Sequence, residues 1–160
     1  MEELAGIAEQ IAAKLIARKQ TIAVAESSTG GLISATLLAV PGASAYFLGG
    51  AVVYTRAARR ILMDIPDDAM KGIRSASEPY ANLLAEQVRQ RLSTDWGLSE
   101  TGATGPTGNR YGDAAGHSCM AVAGAQTSVI TLETGSNDRR ANMQVFAKTA
   151  LNLLLRQLSQ

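Results

Sequence analysis

Apolar residues at Leu4, Ile7, Ala8, Ile11 and Leu15 recur at the spacing that lines one face of a helix, which predicts a first helix from Leu4 to about Lys19. Thr21-Ile22-Ala23-Val24-Ala25 follows as an apolar run with β-branched residues, too short for a helix and suited to a central strand covered on both faces. Ser27, Ser28 and Thr29 then offer hydroxyls to cap a second helix, on which Leu32, Ala35, Thr36 and Ala39 continue until Pro41-Gly42. Tyr46 to Tyr54 reads as a second strand, with Gly49-Gly50 marking a bulge or a close backbone approach. A basic helix from Thr55 to Met63 and a turn at Ile65-Pro66-Asp67-Asp68 come next. Ser77 caps a further helix with Glu78 and Pro79 in its first turn and a stripe at Tyr80, Leu84, Val88 and Leu92.

Trp96 to Thr101, His117 to Ala123 and Ser128 to Leu132 read as strands, the last two joined through Gly124-Ala125-Gln126-Thr127 as a hairpin. The final helix carries Met143, Ala147, Ala150, Leu154 and Leu158 on one face. Alternating helices and strands predict a layered α/β/α sandwich, and the hairpin makes the sheet mixed. Strand order is not encoded in this periodicity.

Composition narrows the picture. At 160 residues and 46% hydrophobic, residues 1–160 are expected to form a single domain with its own core. Fifteen basic side chains against 14 acidic ones leave a formal charge of +1, too little to gather nucleic acid or an anionic membrane, so an anionic ligand must be held locally. The lone Cys119 excludes an internal disulfide framework and suits a reducing compartment, so a cytoplasmic location is the expectation. The opening residues are acidic and no apolar stretch approaches the ~20 residues of a membrane span, so neither a signal peptide nor a membrane anchor is expected.

Three segments carry candidate chemistry. Glu26-Ser27-Ser28-Thr29-Gly30-Gly31 leaves a central strand at its carboxyl end, where open α/β sheets bind ligands, and free amides at the next helix tip would hold a phosphate or an oxyanion. The same residues also suit a plain cap and tight packing. Thr101-Gly102-Ala103-Thr104-Gly105-Pro106-Thr107-Gly108-Asn109-Arg110-Tyr111-Gly112-Asp113 is a long polar, glycine-rich loop of a length that marks a functional segment or a surface excursion, and it lacks the lysine of a nucleoside-triphosphate loop. Tyr54 precedes Arg56, Arg59 and Arg60, of which one or two are placed to reach a pocket while the rest meet solvent. His117 and Cys119 fit structural roles in a strand, and one histidine with one cysteine and no clustered carboxylates supplies no metal site. No cofactor is expected.

In order and spacing these segments resemble the CinA C-terminal domain family. The family's A-E-S-C-T-G-G appears as Ala25-Glu26-Ser27-Ser28-Thr29-Gly30-Gly31, V-P-G-S-S as Val40-Pro41-Gly42-Ala43-Ser44, and G-G-x-V-x-Y as Gly49-Gly50-Ala51-Val52-Val53-Tyr54. V-S-E is similar to Ala76-Ser77-Glu78, T-G-x-A-G-P-x-G to Thr101 through Gly108, and G-D-R to Asn137-Asp138-Arg139. The resemblance runs from about Leu4 to Leu158. It implies a three-layer α/β/α sandwich on a five-stranded mixed sheet with one antiparallel strand. It also implies hydrolysis of nicotinamide mononucleotide to nicotinic acid mononucleotide and ammonia, and homo-oligomerisation. The molybdopterin-binding-like domain that often precedes the family's domain has no counterpart in these residues.

Carried over residue by residue, the resemblance makes Ser27 the nucleophile or water-orienting hydroxyl, with Tyr54, Thr101 and Arg139 positioning substrate. Glu26, Ser28, Thr29, Gly30, Gly31, Gly102, Thr104 and Gly105 would contribute to binding. The family's Y-x-x-x-x-K, whose lysine is implicated in catalysis, ends here in Arg59; a guanidinium stays protonated and holds negative charge but does not deprotonate Ser27. Ser28 stands at the family's cysteine and Thr104 at its alanine. Glu26, Asp113 and His117 are the candidates for a replacement base. Two functions follow as alternatives: an amidohydrolase acting on a pyridine nucleotide or related amide, and a pocket that binds a nucleotide or phosphorylated metabolite without the reaction.

Overall fold

The computed structural model describes residues 2–160. Helix α1 (Glu2–Arg18) opens with Glu2 and Glu3 and closes with Arg18, so both ends complement the helix dipole. It leads into β1 (Ile22–Glu26), α2 (Leu32–Leu38), β2 (Phe47–Val52) and α3 (Arg56–Met63). Then come α4 (Glu78–Leu92), β3 (Trp96–Ala103), β4 (His117–Ala123), β5 (Ser128–Glu133) and α5 (Arg139–Leu158). The expected caps of α4 and of the hairpin are present: Ser77 accepts from the Tyr80 amide, and β4 pairs β5 antiparallel.

The sheet runs β2-β1-β3-β4-β5. β1 is parallel to both β2 and β3, while β4 opposes β3 and β5, so β4 alone runs against the others. Strand alternation sorts the core into two halves. Ile22, Val24, Leu98, Met120 and Val122 meet the apolar faces of α1, α2 and α5. Ala23, Ala25, Ala121 and Ala123 turn the other way, toward α3 and α4. The small residues on that second face let α4 lie close to the sheet. No helix among the described residues is long and apolar enough to cross a membrane.

Two local readings change. Tyr46 is not in the second strand; it ends a 3-10 turn (Ala43–Ala45), buries its ring and donates its hydroxyl to the Leu37 carbonyl, because the ring fills the space under α2. The bulge lies one residue before Gly49: pairing jumps from Ile22–Phe47 to Ala23–Gly49 and leaves Leu48 over. Gly50 accounts for the close approach, since a Cβ there would lie 2.8 Å from Ser34 Oγ and 3.0 Å from the Val24 carbonyl.

Gly97 is the tightest such point on the α4 side, where a Cβ would sit 2.1 Å from the Ala85 carbonyl oxygen. Gly97→Ala must push α4 off the sheet, and a loss of about 3 kcal/mol is expected in urea denaturation at neutral pH.

Candidate functional site

The chain leaves β1 toward one face of the sheet, through α2, and returns to β3 from the other, through α4. A crevice therefore opens where the carboxyl ends of the parallel neighbours β1 and β3 diverge, the usual ligand position in such sheets. Ser27 follows β1 at this point, and Thr101 and Gly102 close β3 beside it.

The amide cradle expected at the tip of α2 is not open. Glu26, fully buried at the end of β1, folds its carboxylate under the helix. It accepts from the amides of Gly31 (2.9 Å), Ile33 (3.1 Å) and Ser34 (2.9 Å) and from the hydroxyls of Thr29 (2.7 Å) and Ser34 (2.8 Å). The Ser27 and Thr29 amides are taken by Glu100, and those of Gly30 and Leu32 by carbonyls within the turn. Phosphate or oxyanion binding by the Thr29, Gly30 and Gly31 amides is therefore corrected: a buried acid of the chain itself supplies the charge that favours a helix amino end. Nor do the hydroxyls of Ser27, Ser28 and Thr29 cap α2, whose N-cap is Gly31 with no side-chain cap. Gly30 (φ +65°) and Gly31 (φ +103°) are glycines because the turn over Glu26 runs through left-handed backbone.

The open volume lies on the opposite side of this turn, toward α3 and α4. It is a cavity of about 680 Å3 with Ser27, Thr101 and Gly102 at its sheet end. Arg56, Arg59, Lys71, Arg74 and Arg110 supply its charge, with Asp67 as the one carboxylate on its wall. No protein partner is found for the Ser27 hydroxyl among the described residues. Thr101 accepts from the Ala76 amide through its hydroxyl oxygen (3.1 Å), which leaves its own hydrogen free to donate. Arg59, its side chain only 9% exposed, pairs with Asp67 at 2.8 Å, yet its Nε is buried and unpartnered. Arg56 and Lys71 have no ion-pair partner among the described residues. Tyr80 backs Arg59; burial pushes its phenol up to about 12 although the guanidinium opposes the shift, so it stays neutral.

Other expected residues are placed nearby but differently. Tyr54 reaches the cavity with its ring 59% exposed, and its hydroxyl accepts from Arg139 Nη2 at 3.3 Å. Arg139 also holds the Gly105 carbonyl (2.5 Å), so it ties the glycine-rich loop to the end of β2 instead of lining the cavity. Thr104 is buried and its carbonyl accepts from Asn142, a buried α5 residue that composition alone does not mark as important. Gly102 is required by packing, since a Cβ would meet Ser118 and the His117 carbonyl at 2.6 Å. Arg60 does not line the cavity; half-exposed, it shares Asp67 at 3.7 Å.

None of the candidate bases presents a lone pair to Ser27. Glu26 is committed to α2. Asp113 is clamped by Arg74 (2.6 Å) and Asn109 (2.8 Å); burial would raise its carboxyl, but these donors hold it below the usual value. His117 hydrogen-bonds Glu133 through Nδ1 (2.5 Å) and the Ala76 carbonyl through Nε2 (2.7 Å). With acceptors at both nitrogens, its ring is an imidazolium. Burial pulls the imidazole down, but Glu133, the Ala76 carbonyl and Asp113 outweigh it and leave it above the ordinary value. Cys119 is buried beside it, its thiol pushed up by desolvation.

Asn109, Arg110 and Tyr111, part of the long loop marked as a candidate, line the cavity, whereas sequence reasoning missed Lys71 and Arg74, which reach it from a separate loop. Arg74 and Arg110 both lie against the Tyr111 ring, 5.4 Å and 5.1 Å from its centroid. Glu100 was also missed, although a carboxylate in an otherwise covered strand is itself a signal.

The chain is a mixed-sheet α/β/α sandwich with a serine and a cationic cavity at the crevice of its sheet. Residues 4–158 match the CinA C-terminal domain, and the chain belongs to that family. It is 37% identical over 154 residues to a CinA-like protein of Gloeobacter violaceus, covering 95% of this chain and 36% of that protein. It is 38% identical over 151 residues to one of a Sulfurihydrogenibium species, covering 92% and 38%. The chain thus spans little more than a third of the length of these relatives. Among solved structures, a competence-damaged protein (CinA) superfamily protein of Escherichia coli superposes with a TM-score of 0.90 at 23% identity, covering 96% of this chain and 90% of that one. A competence/damage-inducible protein of Agrobacterium tumefaciens gives 0.90 at 24%, covering 98% and 96%. At these identities the likeness shows the fold.

Two outcomes follow from the buried charges. Glu26→Ala strands the Gly31, Ile33 and Ser34 amides, and a loss of about 3 kcal/mol in urea denaturation is expected. For His117 the folded value is the raised one. Its contribution to stability is therefore complete below the unfolded value near 6.5 and disappears as pH rises through the higher folded value. The denaturation midpoint of the native chain should converge on that of His117→Gln over that alkaline interval and not on the acid side.

Proposed function

We propose that this chain is an amidohydrolase-type enzyme whose substrate is a phosphorylated nucleotide bearing an amide, nicotinamide mononucleotide or a near relative. The observation that carries the reading is the Ser27 hydroxyl, unpartnered at the sheet end of a cavity whose walls are lined with cations. The cavity's size suits a small-molecule ligand. Arg56 and Lys71 receive the phosphate, with the Arg59 guanidinium adding positive charge to the cavity wall, and the Thr101 hydroxyl donates to the amide carbonyl. Ser27 Oγ attacks the amide carbon, ammonia leaves, and water releases the acid from the serine ester. Arg59 cannot take the serine proton. The serine proton passes to the departing amide nitrogen, which leaves as ammonia.

A second reading, a pocket that binds the nucleotide without hydrolysing it, is favoured by one specific observation. Arg59 is paired to Asp67, and Glu26, Asp113 and His117 are all bonded elsewhere, so none of the replacement bases considered for the sequence reaches Ser27.

Purified protein incubated with nicotinamide mononucleotide is expected to release ammonia, and Ser27→Ala to reduce the rate by roughly 10³-fold. Arg59→Lys should raise turnover by restoring a titratable amine, and Lys71→Met should weaken calorimetric binding of the nucleotide by removing one of the cations that hold its phosphate. Binding of the nucleotide by both the native chain and Ser27→Ala, with no ammonia from either, would establish the second reading instead.

A further inference from the structure

Glu100 lies across from Glu26 in register, on the neighbouring parallel strand, and both side chains are fully buried. Their surroundings differ. Every partner of Glu26 is an amide or a hydroxyl able to donate, the surroundings of an ionised acceptor. Glu100 receives the amides of Ser27 (3.2 Å) and Thr29 (2.9 Å) on Oε1, whereas its Oε2 meets only the hydroxyls of Ser28 (2.5 Å) and Ser118 (3.0 Å).

Because hydroxyls can accept as well as donate, a proton on Oε2 of Glu100 still leaves every one of these hydroxyls an acceptor. Thr29 Oγ1 lies 2.7 Å from Glu26 and 3.0 Å from Glu100, and its one hydrogen goes to the nearer, Glu26. Ser28 donates to Oε2 of Glu100. A proton on Oε2 then goes to Ser118 Oγ, and Ser118 passes its own hydrogen to the Thr101 carbonyl, 3.3 Å away. Two buried carboxyl groups sharing one threonine do not both ionise without a large Coulombic and desolvation penalty. Burial acts the same way, holding the Glu100 carboxyl above its usual range against the hydrogen bonds from Ser28, Thr29 and Ser118. Glu26 is the one titratable group in hydrogen-bonding register with it.

The consequence reaches the cavity. Ser27 and Ser28 lie on opposite sides of the turn, Ser28 on Glu100 and Ser27 on the cavity. Fixing the amides on either side of Ser28 fixes which way Ser27 points. Through Ser118 the same acid steadies the backbone of Thr101. We propose that Glu100 is a positioning residue for the Ser27 hydroxyl, and that it acts as an un-ionised acid, hydrogen-bonding as a carboxamide would. The proposal rests on Ser27 being the working hydroxyl, and its test reads Glu100 independently of turnover.

Glutamine at this position retains an oxygen for the two amides and an N–H for Ser118, with the Ser28 hydroxyl turned round; leucine retains neither. At neutral pH the native chain should show the infrared carbonyl stretch of a protonated carboxylic acid that Glu100→Gln lacks. Amide hydrogen exchange at Ser27 and Thr29 should stay protected in Glu100→Gln and become fast in Glu100→Leu, while exchange in β4 and α5 stays slow in both. With nicotinamide mononucleotide as substrate, kcat should hold within a few fold for Glu100→Gln and fall roughly 10²-fold for Glu100→Leu with KM little changed. An absent acid band, protected amides in Glu100→Leu, or a glutamine variant as impaired as the leucine one would overturn the proposal. Absence of ammonia release from the native chain would count against the amidohydrolase reading alone, since the infrared and exchange results stand without it.

Discussion

A carboxylate without a cation holds this structure's central turn. Glu26 sits under the amino end of α2 and gives its oxygens to backbone amides that the helix geometry leaves unsatisfied. The interaction replaces a hydroxyl cap with a full charge and fastens the last residue of β1 to the first turn of α2. Because Glu100 lies beside it on the next strand, the same buried plane also fastens β3. The β1-to-α2 turn is thus pinned on both of the strands that border the crevice.

Alternation along the chain turns this into a division of labour. Glu26, Ser28, Glu100 and Ser118 belong to the side facing α2, where they satisfy one another away from water. Ser27 and Thr101 belong to the side facing α4, where the cavity lies. A buried acid pair so close to Ser27 would ordinarily suggest a catalytic base. Here the two acids lie on the other side of the turn, and their oxygens are engaged by amides and hydroxyls. Negative charge under the floor and positive charge around the walls are separate systems, and only the second lines the cavity.

Membership of the CinA C-terminal domain family gives the chain a framework in which the serine, the tyrosine after β2 and the glycine-rich loop after β3 converge. Arg59 alters how that framework is charged. It is the buried member of the α3 basic run, held by Asp67 and backed by Tyr80, and it keeps one donor free. A guanidinium in that setting adds fixed positive charge to the cavity and cannot exchange a proton with Ser27. The loop carrying Arg110, Tyr111 and Asp113 adds a further wall, locked by Arg74, which brings more positive charge over the same opening.

Elements and layers were legible in the sequence because they follow from spacing between near neighbours. The apolar stripes of α1, α4 and α5 and the covered runs of β1 and β4 each report their own periodicity. The residues gathered around the crevice were partly legible for the same reason, since strand ends and glycine turns mark themselves. What the amides at the α2 tip bind was not. The order of the strands determines that Glu100 arrives beside Ser27, and the turn's left-handed glycines determine that Glu26 folds inward instead of leaving the cradle empty. Periodicity says which face a side chain takes. Only tertiary structure says which distant group already waits there, because hydrogen bonding is directional and a strand's neighbour is set by the whole sheet.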